Sequence, residues 1–227
     1  LMLEPGVYTL ENLTLHYWVG DNSAEYISSE PGILRSPQIG GAVWNSLRLA
    51  FAAALFTGFM GLLIGYAVVR TRGTLVSKAL ENIAFTPYIF PAVALGAIYL
   101  GVFSRPIGPV PALYGTFALL VIIFAIKNLP FTSRTGIAAL LQIDRSLEET
   151  ARVQGIGWFK RMAKIIVPVA SSGLISGMLL SFITVMRELS LIILLITPST
   201  NTLTTLVFDY QLQDLPQHVG AATVMLM

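Results

Sequence analysis

The residues with the clearest spacing lie between Ser146 and Pro168. Ser146-Leu147-Glu148-Glu149 fits a capping box, with Ser146 as N-cap and Glu149 at the third helical position. Ala151, Arg152, Val153 and Gln154 continue this helix for about two turns, and Gly155 sits where a left-handed C-cap residue belongs. From Trp158 to Val167 the apolar residues Trp158, Phe159, Met162, Ile165 and Ile166 recur at helical spacing. Lys160, Arg161 and Lys164 take another face, the pattern of an amphipathic interfacial helix, and Pro168 follows. The chemistry this suggests is docking and motion. A soluble partner can grip a short helix bent at a glycine, and the second helix can carry the displacement onward. Glu149 capping its helix and Gly155 ending it is compatible with that role, because a capping carboxylate keeps a free oxygen for a partner's arginine.

Other chemically capable residues are sparse. Arg187 and Glu188 form the one charge pair in the fourth apolar stretch, and charges at membrane depth face a cavity or a partner. Adjacent helical residues do not face one another, so each needs another partner, at a pathway or gate or at a structural kink. Pro87 and Pro91 each remove a backbone donor and bend their helix. Backbone freed at that depth must be satisfied by protein or by a water-filled cavity, which makes this span a candidate pathway wall. His16 and His218 are isolated in sequence, and no metal cluster is expected. The absence of cysteine removes disulfides, thiolate zinc sites and cysteine nucleophiles. No G-x-x-x-x-G-K-[ST] occurs, so the chain does not cradle ATP by that route. A membrane-embedded enzyme would need convergent titratable groups within its spans, and Arg187 and Glu188 alone do not supply them.

The elements that hold these residues are apolar helices. Of 227 residues, 55% are apolar and 11% charged, against about 45–50% and about 25% in soluble domains. The mean hydropathy is +0.73. Net charge is +2, too small to suggest nucleic acid. A bilayer crossing takes roughly 20 apolar residues. That length predicts an all-α polytopic membrane protein with spans over about 45–70, 80–104, 110–130, 168–197 and 216–227, the last cut short. Residues 1–44 form an extracytoplasmic segment, residues 45–227 the membrane domain, and residues 131–167 a cytoplasmic loop. Ten of the fourteen basic residues fall in the loops at 70–80 and 127–168, which places those loops inside the cell. Gly61/Gly65 and Gly173/Gly177 are small-xxx-small pairs suited to close helix packing. Leu1 at one end and an apolar run at the other suggest a piece of a longer polypeptide.

Glu149-Thr150-Ala151, three residues, Gly155, nine residues and Ile165-Ile166-Val167-Pro168 resemble the EAA loop of binding-protein-dependent ABC importer permeases. That family's pattern is E-A-A, three, G, nine, I-x-L-P. Thr150 and Val167 depart from it mildly. Asn45-Ser46-Leu47 opens the first span as in that family, and the resemblance covers nearly everything from about residue 40. It implies a type I importer transmembrane domain in a bacterial inner (plasma) membrane, crossing it several times. It also implies partners: a cytoplasmic ABC ATPase dimer, an extracytoplasmic solute-binding protein and a second permease domain, as a fused half or a second subunit. The chain is then no enzyme and binds no cofactor, since ATP and Mg belong to the partner ATPase. By the same resemblance Glu149, Thr150, Ala151, Gly155, Ile165 and Pro168 form the coupling element. Glu149 meets the ATPase, Ala151 packs in its cleft and Gly155 allows the bend. Arg187-Glu188-Leu189-Ser190 and Thr197-Pro198-Ser199-Thr200-Asn201-Thr202-Leu203 look like the ferric-iron branch, with phosphonate and polyamine permeases as alternatives. An ion channel or a secondary carrier is the alternative of another class.

Overall fold

Lipid offers no partner to a backbone amide, so the chain satisfies its own in helices. A computed structural model describes residues 9–21 and 30–227. The helices are α1 (His16–Val19), α2 (Ile39–Arg70), α3 (Leu75–Ile89), α4 (Ala92–Phe103), α5 (Phe117–Leu141), α6 (Arg145–Val153), α7 (Trp158–Arg161), α8 (Val167–Met186), α9 (Leu203–Leu212) and α10 (Pro216–Val224). An isolated bridge pairs Ile107 with Val110. Parts of the expected N-terminal segment, residues 1–8 and 22–29, lie outside the described residues.

Three helices are long and apolar enough to cross a membrane: Ile39–Arg70, Phe117–Leu141 and Trp158–Met186. The expected second span is instead a broken pair, α3 and α4, bent by 99°. Only one of its two prolines makes the break. Pro91 follows Phe90, which is forced out of the helical region to φ −73°, ψ 139°. Pro87 lies inside α3 and costs it one hydrogen bond without ending it.

The expected third span is displaced along the chain. Residues 107–116 form turns with Gly108 and Gly115 at positive φ, and the helix runs from Phe117 to Leu141. Its inner half carries Thr132, Ser133, Arg134 and Thr135, which read as a loop. Their hydroxyls bond to helix carbonyls: Thr135 donates to the Phe131 carbonyl at 3.1 Å and Ser133 to that of Pro130 at 3.4 Å. The expected fourth span also differs at both ends. Trp158 to Met186 is one helix, in which Met162–Ile166 widens to a π turn and Val167 N–H donates to the Met162 carbonyl. The widened turn directly precedes Pro168, whose ring would clash with a carbonyl four residues back. The helix then stops at Met186. Leu189 to Ile196 form turns in which Leu191, Ile192 and Leu195 are buried.

The described chain divides into two compact units. One comprises Ala50–Leu95 and Ala118–Val185. Here both glycine pairs face α5. A Cβ on Gly61 would collide with the Thr132 side chain and backbone, and one on Gly65 would lie 3.0 Å from Ile137 N. A Cβ on Gly173 would come 2.8 Å from Ala139 Cβ, and one on Gly177 would strike Thr135 Oγ1. The close approach lets Thr132 Oγ1 donate to the Thr57 carbonyl at 2.7 Å. The other unit comprises Leu1–Leu49, Gly96–Phe117 and Met186–Met227. Its core includes Tyr17, Ile33, Leu203, Leu206 and Tyr210. Asn45 Nδ2 donates to the Asn201 carbonyl at 2.7 Å, and Leu203 N–H to Ser46 Oγ at 2.8 Å. These bonds tie the start of α2 to the start of α9.

Gly61→Val is expected to lower the melting temperature of the detergent-solubilised protein, at an overpacking cost of about 1–3 kcal/mol. Gly101→Ala, where a Cβ meets nothing within 4 Å, is expected to leave it unchanged. Thermal unfolding followed by circular dichroism reads both.

Candidate functional site

The segment after α5 builds a short exposed helix. Its N-cap is Asp144, not Ser146: Asp144 Oδ1 accepts the Ser146 amide at 2.9 Å, and the helix begins at Arg145. Asp and Ser are comparably good caps, and the aspartate two residues upstream captures the helix start. The bond from the Ser146 backbone, helped by that of its side chain, holds the Asp144 carboxyl below its usual range. At the other end Gly155 has φ +75°. Its N–H donates to the Arg152 carbonyl at 3.0 Å, and Ile156 N–H donates to that of Ala151 at 3.0 Å. This pair of bonds is a Schellman motif, and it turns the chain towards Gly157, the N-cap of α7.

The residues singled out by the motif do not converge. Glu149, Thr150, Gly155 and Pro168 are exposed, Ile165 is half-buried and Ala151 is buried within this chain. The exposed surface of α6 includes Glu149 and Thr150 and the apolar residues Leu147 and Val153, the latter 88% exposed. Leu147, Thr150 and Val153 recur every third residue and share one face of α6.

Behind that face lies a carboxylate the sequence reading passed over. Glu148 points back into the protein, with its side chain 12% exposed. Tyr66 Oη donates to Glu148 Oε1 at 2.6 Å, and Arg70 forms an ion pair with the other oxygen. Arg161 Nε lies 3.7 Å from Oε1, while its Nη1 donates to the Ile156 carbonyl at 2.7 Å. Arg145 Nη2 donates to the Val69 carbonyl at 3.4 Å. The Arg70 guanidinium also stands over the Tyr66 ring, 5.3 Å from its centroid. One acidic side chain on α6 thus joins the end of α2 to α7. The cleft around it, about 270 Å³, is lined by Tyr66, Glu148, Glu149 and four arginines, 70, 145, 152 and 161. The sequence held two signals for Glu148. It is three residues before the buried Ala151, hence on the same helix face, and Tyr66 and Arg70 are one helical turn apart.

Arg187 and Glu188 sit just past the end of α8. Arg187 Nε donates to the Leu226 carbonyl at 3.2 Å, and Glu188 Oε1 accepts the Leu191 amide at 3.2 Å. Each has its own local partner. His16 and His218 are not isolated: both rings pack edge-on against Tyr17, with centroids 5.5 and 5.3 Å away. His218 Nε2 is 3.2 Å from the Pro31 carbonyl. Among the described residues no three His, Asp or Glu side chains are placed to hold a metal ion.

The fold is that of a polytopic, all-α membrane domain. Residues 37–227 match the family described as binding-protein-dependent transport system inner membrane component. The chain belongs to that family, the ABC importer permeases, and is a multi-pass inner-membrane protein. It is 34% identical over 159 residues to the putative ferric transport system permease protein FbpB 1 of Haemophilus influenzae, covering 69% of this chain and 24% of that one. To the sulfate transport system permease protein CysT of Escherichia coli it is 26% identical over 175 residues, covering 71% of this chain and 60% of that one. The chain thus spans about a quarter of the ferric relative's length. The fold is similar to the crystal structure of a bacterial ABC transporter involved in the import of the acidic polysaccharide alginate. The TM-score is 0.69 at 20% identity, covering 85% of this chain and 75% of that one. The MetNI methionine ABC transporter, in an inward-facing conformation, gives 0.64 at 20% identity, with 82% and 86% covered.

Asp144→Ala is expected to speed amide hydrogen exchange across the first turn of α6. A depressed carboxyl stabilises above its unfolded pKa, and that contribution is lost as pH falls through the folded value. Acidification of the wild type through that range is therefore expected to act in the same direction, after correction for the intrinsic pH dependence of exchange.

Proposed function

We propose that this chain forms part of the translocation pathway of an ATP-driven importer of ferric iron. A separate cytoplasmic ATPase dimer powers it through α6, a solute-binding protein delivers the solute on the opposite side, and a second permease domain completes the pathway. The observation that carries this reading is the exposed helix α6. It ends in a glycine bend and presents Glu149, Thr150 and Val153 outward. The excess of basic residues at 70–80 and 127–168 supports a cytoplasmic position for it. The ferric assignment rests on the similarity to the Haemophilus ferric permease. Sulfate import is the second reading, favoured by the sulfate permease, of which this chain covers a larger share. On the importer reading ATP and Mg stay on the ATPase. Pro87, Pro91, Arg187 and Glu188 are the candidates for the pathway or its gate, with the break at Pro91 freeing backbone groups for it.

Proteoliposomes holding the complete transporter, ATP and its binding protein are expected to accumulate radiolabelled ferric iron. Accumulation of sulfate in its place overturns the iron assignment, and uptake without ATP overturns the class. Gly155→Val forces a β-branched residue into the left-handed region, at about 1–2 kcal/mol. It is expected to abolish uptake while the ATPase still copurifies. Normal uptake in that variant contradicts the coupling role of the bend.

A further inference from the structure

The two adjacent glutamates of α6 differ in burial, and that difference divides their work. Glu149 is exposed at the edge of the arginine cleft, whereas Glu148 is enclosed by groups from two other elements. Beyond the Glu148 cluster, α6 is held to α2 by the long bond from Arg145 Nη2 to the Val69 carbonyl. It is nine residues long, about 13 Å, and seven of the nine are exposed. A partner pulling on such a helix would peel it away unless some interaction resists. The buried Ala151 methyl supplies a small apolar contact. The Glu148 cluster supplies the directional one, because charge-assisted bonds are roughly twice as strong as neutral ones and fix geometry.

We propose that Glu148 is the positioning residue that transmits displacement of α6 to the membrane helices, through Tyr66 and Arg70 to α2 and through Arg161 to α7–α8. Glu149 remains for the partner. The inference rests on the importer reading and adds to it the intramolecular link. The carboxylate accepts from a phenol on one side and is flanked by guanidiniums on two elements. Its removal takes away the carboxylate that pairs with two largely buried guanidiniums, Arg70 and Arg161. The cluster also explains the placement of Tyr66 and Arg70. One helical turn apart at the end of a long apolar helix, they present a hydroxyl and a guanidinium to the same carboxylate. Arg161 lies immediately before the π turn that leads into α8. A shift of Glu148 therefore reaches both flanking spans without passing through the exposed glycine bend.

The test uses the full chain in lipid nanodiscs with the ATPase that copurifies with it. Spin labels are placed at Gln154→Cys, the C-cap of α6, and Phe59→Cys on α2, and the distance between them is read with and without trapped ATP. The wild-type distance is expected to hold within about 1 Å, since the two helices move together. In Glu148→Gln and Arg70→Gln it is expected to lengthen or broaden by more than about 2 Å on ATP trapping, the scale of helix shifts in switching proteins. Copurification and ATP hydrolysis are expected to stay within twofold of wild type. Arg70→Lys, which keeps the charge, is expected to behave as wild type, and Tyr66→Phe to show a smaller broadening. Tyr66→Phe removes a single oxygen and keeps the test open should the Glu148 variant fail to fold. An unchanged distance in the Glu148, Arg70→Gln and Tyr66 variants overturns the proposal. So does a lengthening that is already present without ATP, which marks a merely structural contact. If no ATPase copurifies with the wild type, the importer reading itself falls, a separate result.

Discussion

A carboxylate taken out of water must be paired, and in this chain that constraint fixes where the exposed helix sits. Glu148 is held by Tyr66, Arg70 and Arg161. With Glu148 turned inward, the helical repeat places Ala151 inward as well and leaves Leu147, Thr150 and Val153 facing out. The outward face is thus a consequence of the inward bond. The Schellman bend at Gly155 then returns the chain to α7 beneath the same cluster.

The helices behind α6 are closely packed. α5 receives Gly61 and Gly65 from one neighbour and Gly173 and Gly177 from the other. Backbones that approach so closely have little freedom to slide, and the bond from Thr132 to the Thr57 carbonyl pins one of the two contacts. Interhelical hydrogen bonds of this kind are worth about 0.6 kcal/mol on average in membrane proteins, so the rigidity comes chiefly from contact, with the bonds setting register. Rigid elements joined at a few polar contacts are the parts a rigid-body switch requires. The break between α3 and α4 is where the helix of that stretch ends, at Phe90 before Pro91.

Much of this was legible in the sequence, and the failures have physical causes. Gly155 was readable because a position needing φ +75° tolerates few residues other than glycine. Glycine pairs at four-residue spacing were readable for the same kind of reason, since only small side chains permit such closeness. The start of α6 was not fixed, because Asp144 and Ser146 are both good caps and local chemistry does not choose between them. That two-residue difference bears on the adjacent glutamates, and only the positions of Tyr66 and Arg70, about eighty residues away, select Glu148. The inner half of α5 read as loop because Thr132, Ser133, Arg134 and Thr135 are polar, yet the Ser133 and Thr135 hydroxyls bond to the helix's own backbone and that of Thr132 to the Thr57 carbonyl of α2. The run from Leu189 to Ile196 read as a continued span because it is apolar. Its burial in turns depends on tertiary packing that hydropathy does not encode.

The absence of native cysteine permits a direct test of the central claim, that α6 is a cytoplasmic docking element. Val153→Cys in the assembled transporter is to be exposed to a membrane-impermeant maleimide, first on intact spheroplasts and then on inside-out vesicles. The account predicts no labelling in the spheroplasts, labelling in vesicles stripped of the ATPase, and protection when the ATPase is restored. Labelling from the outer side, or equal labelling in vesicles with and without the ATPase, would contradict it.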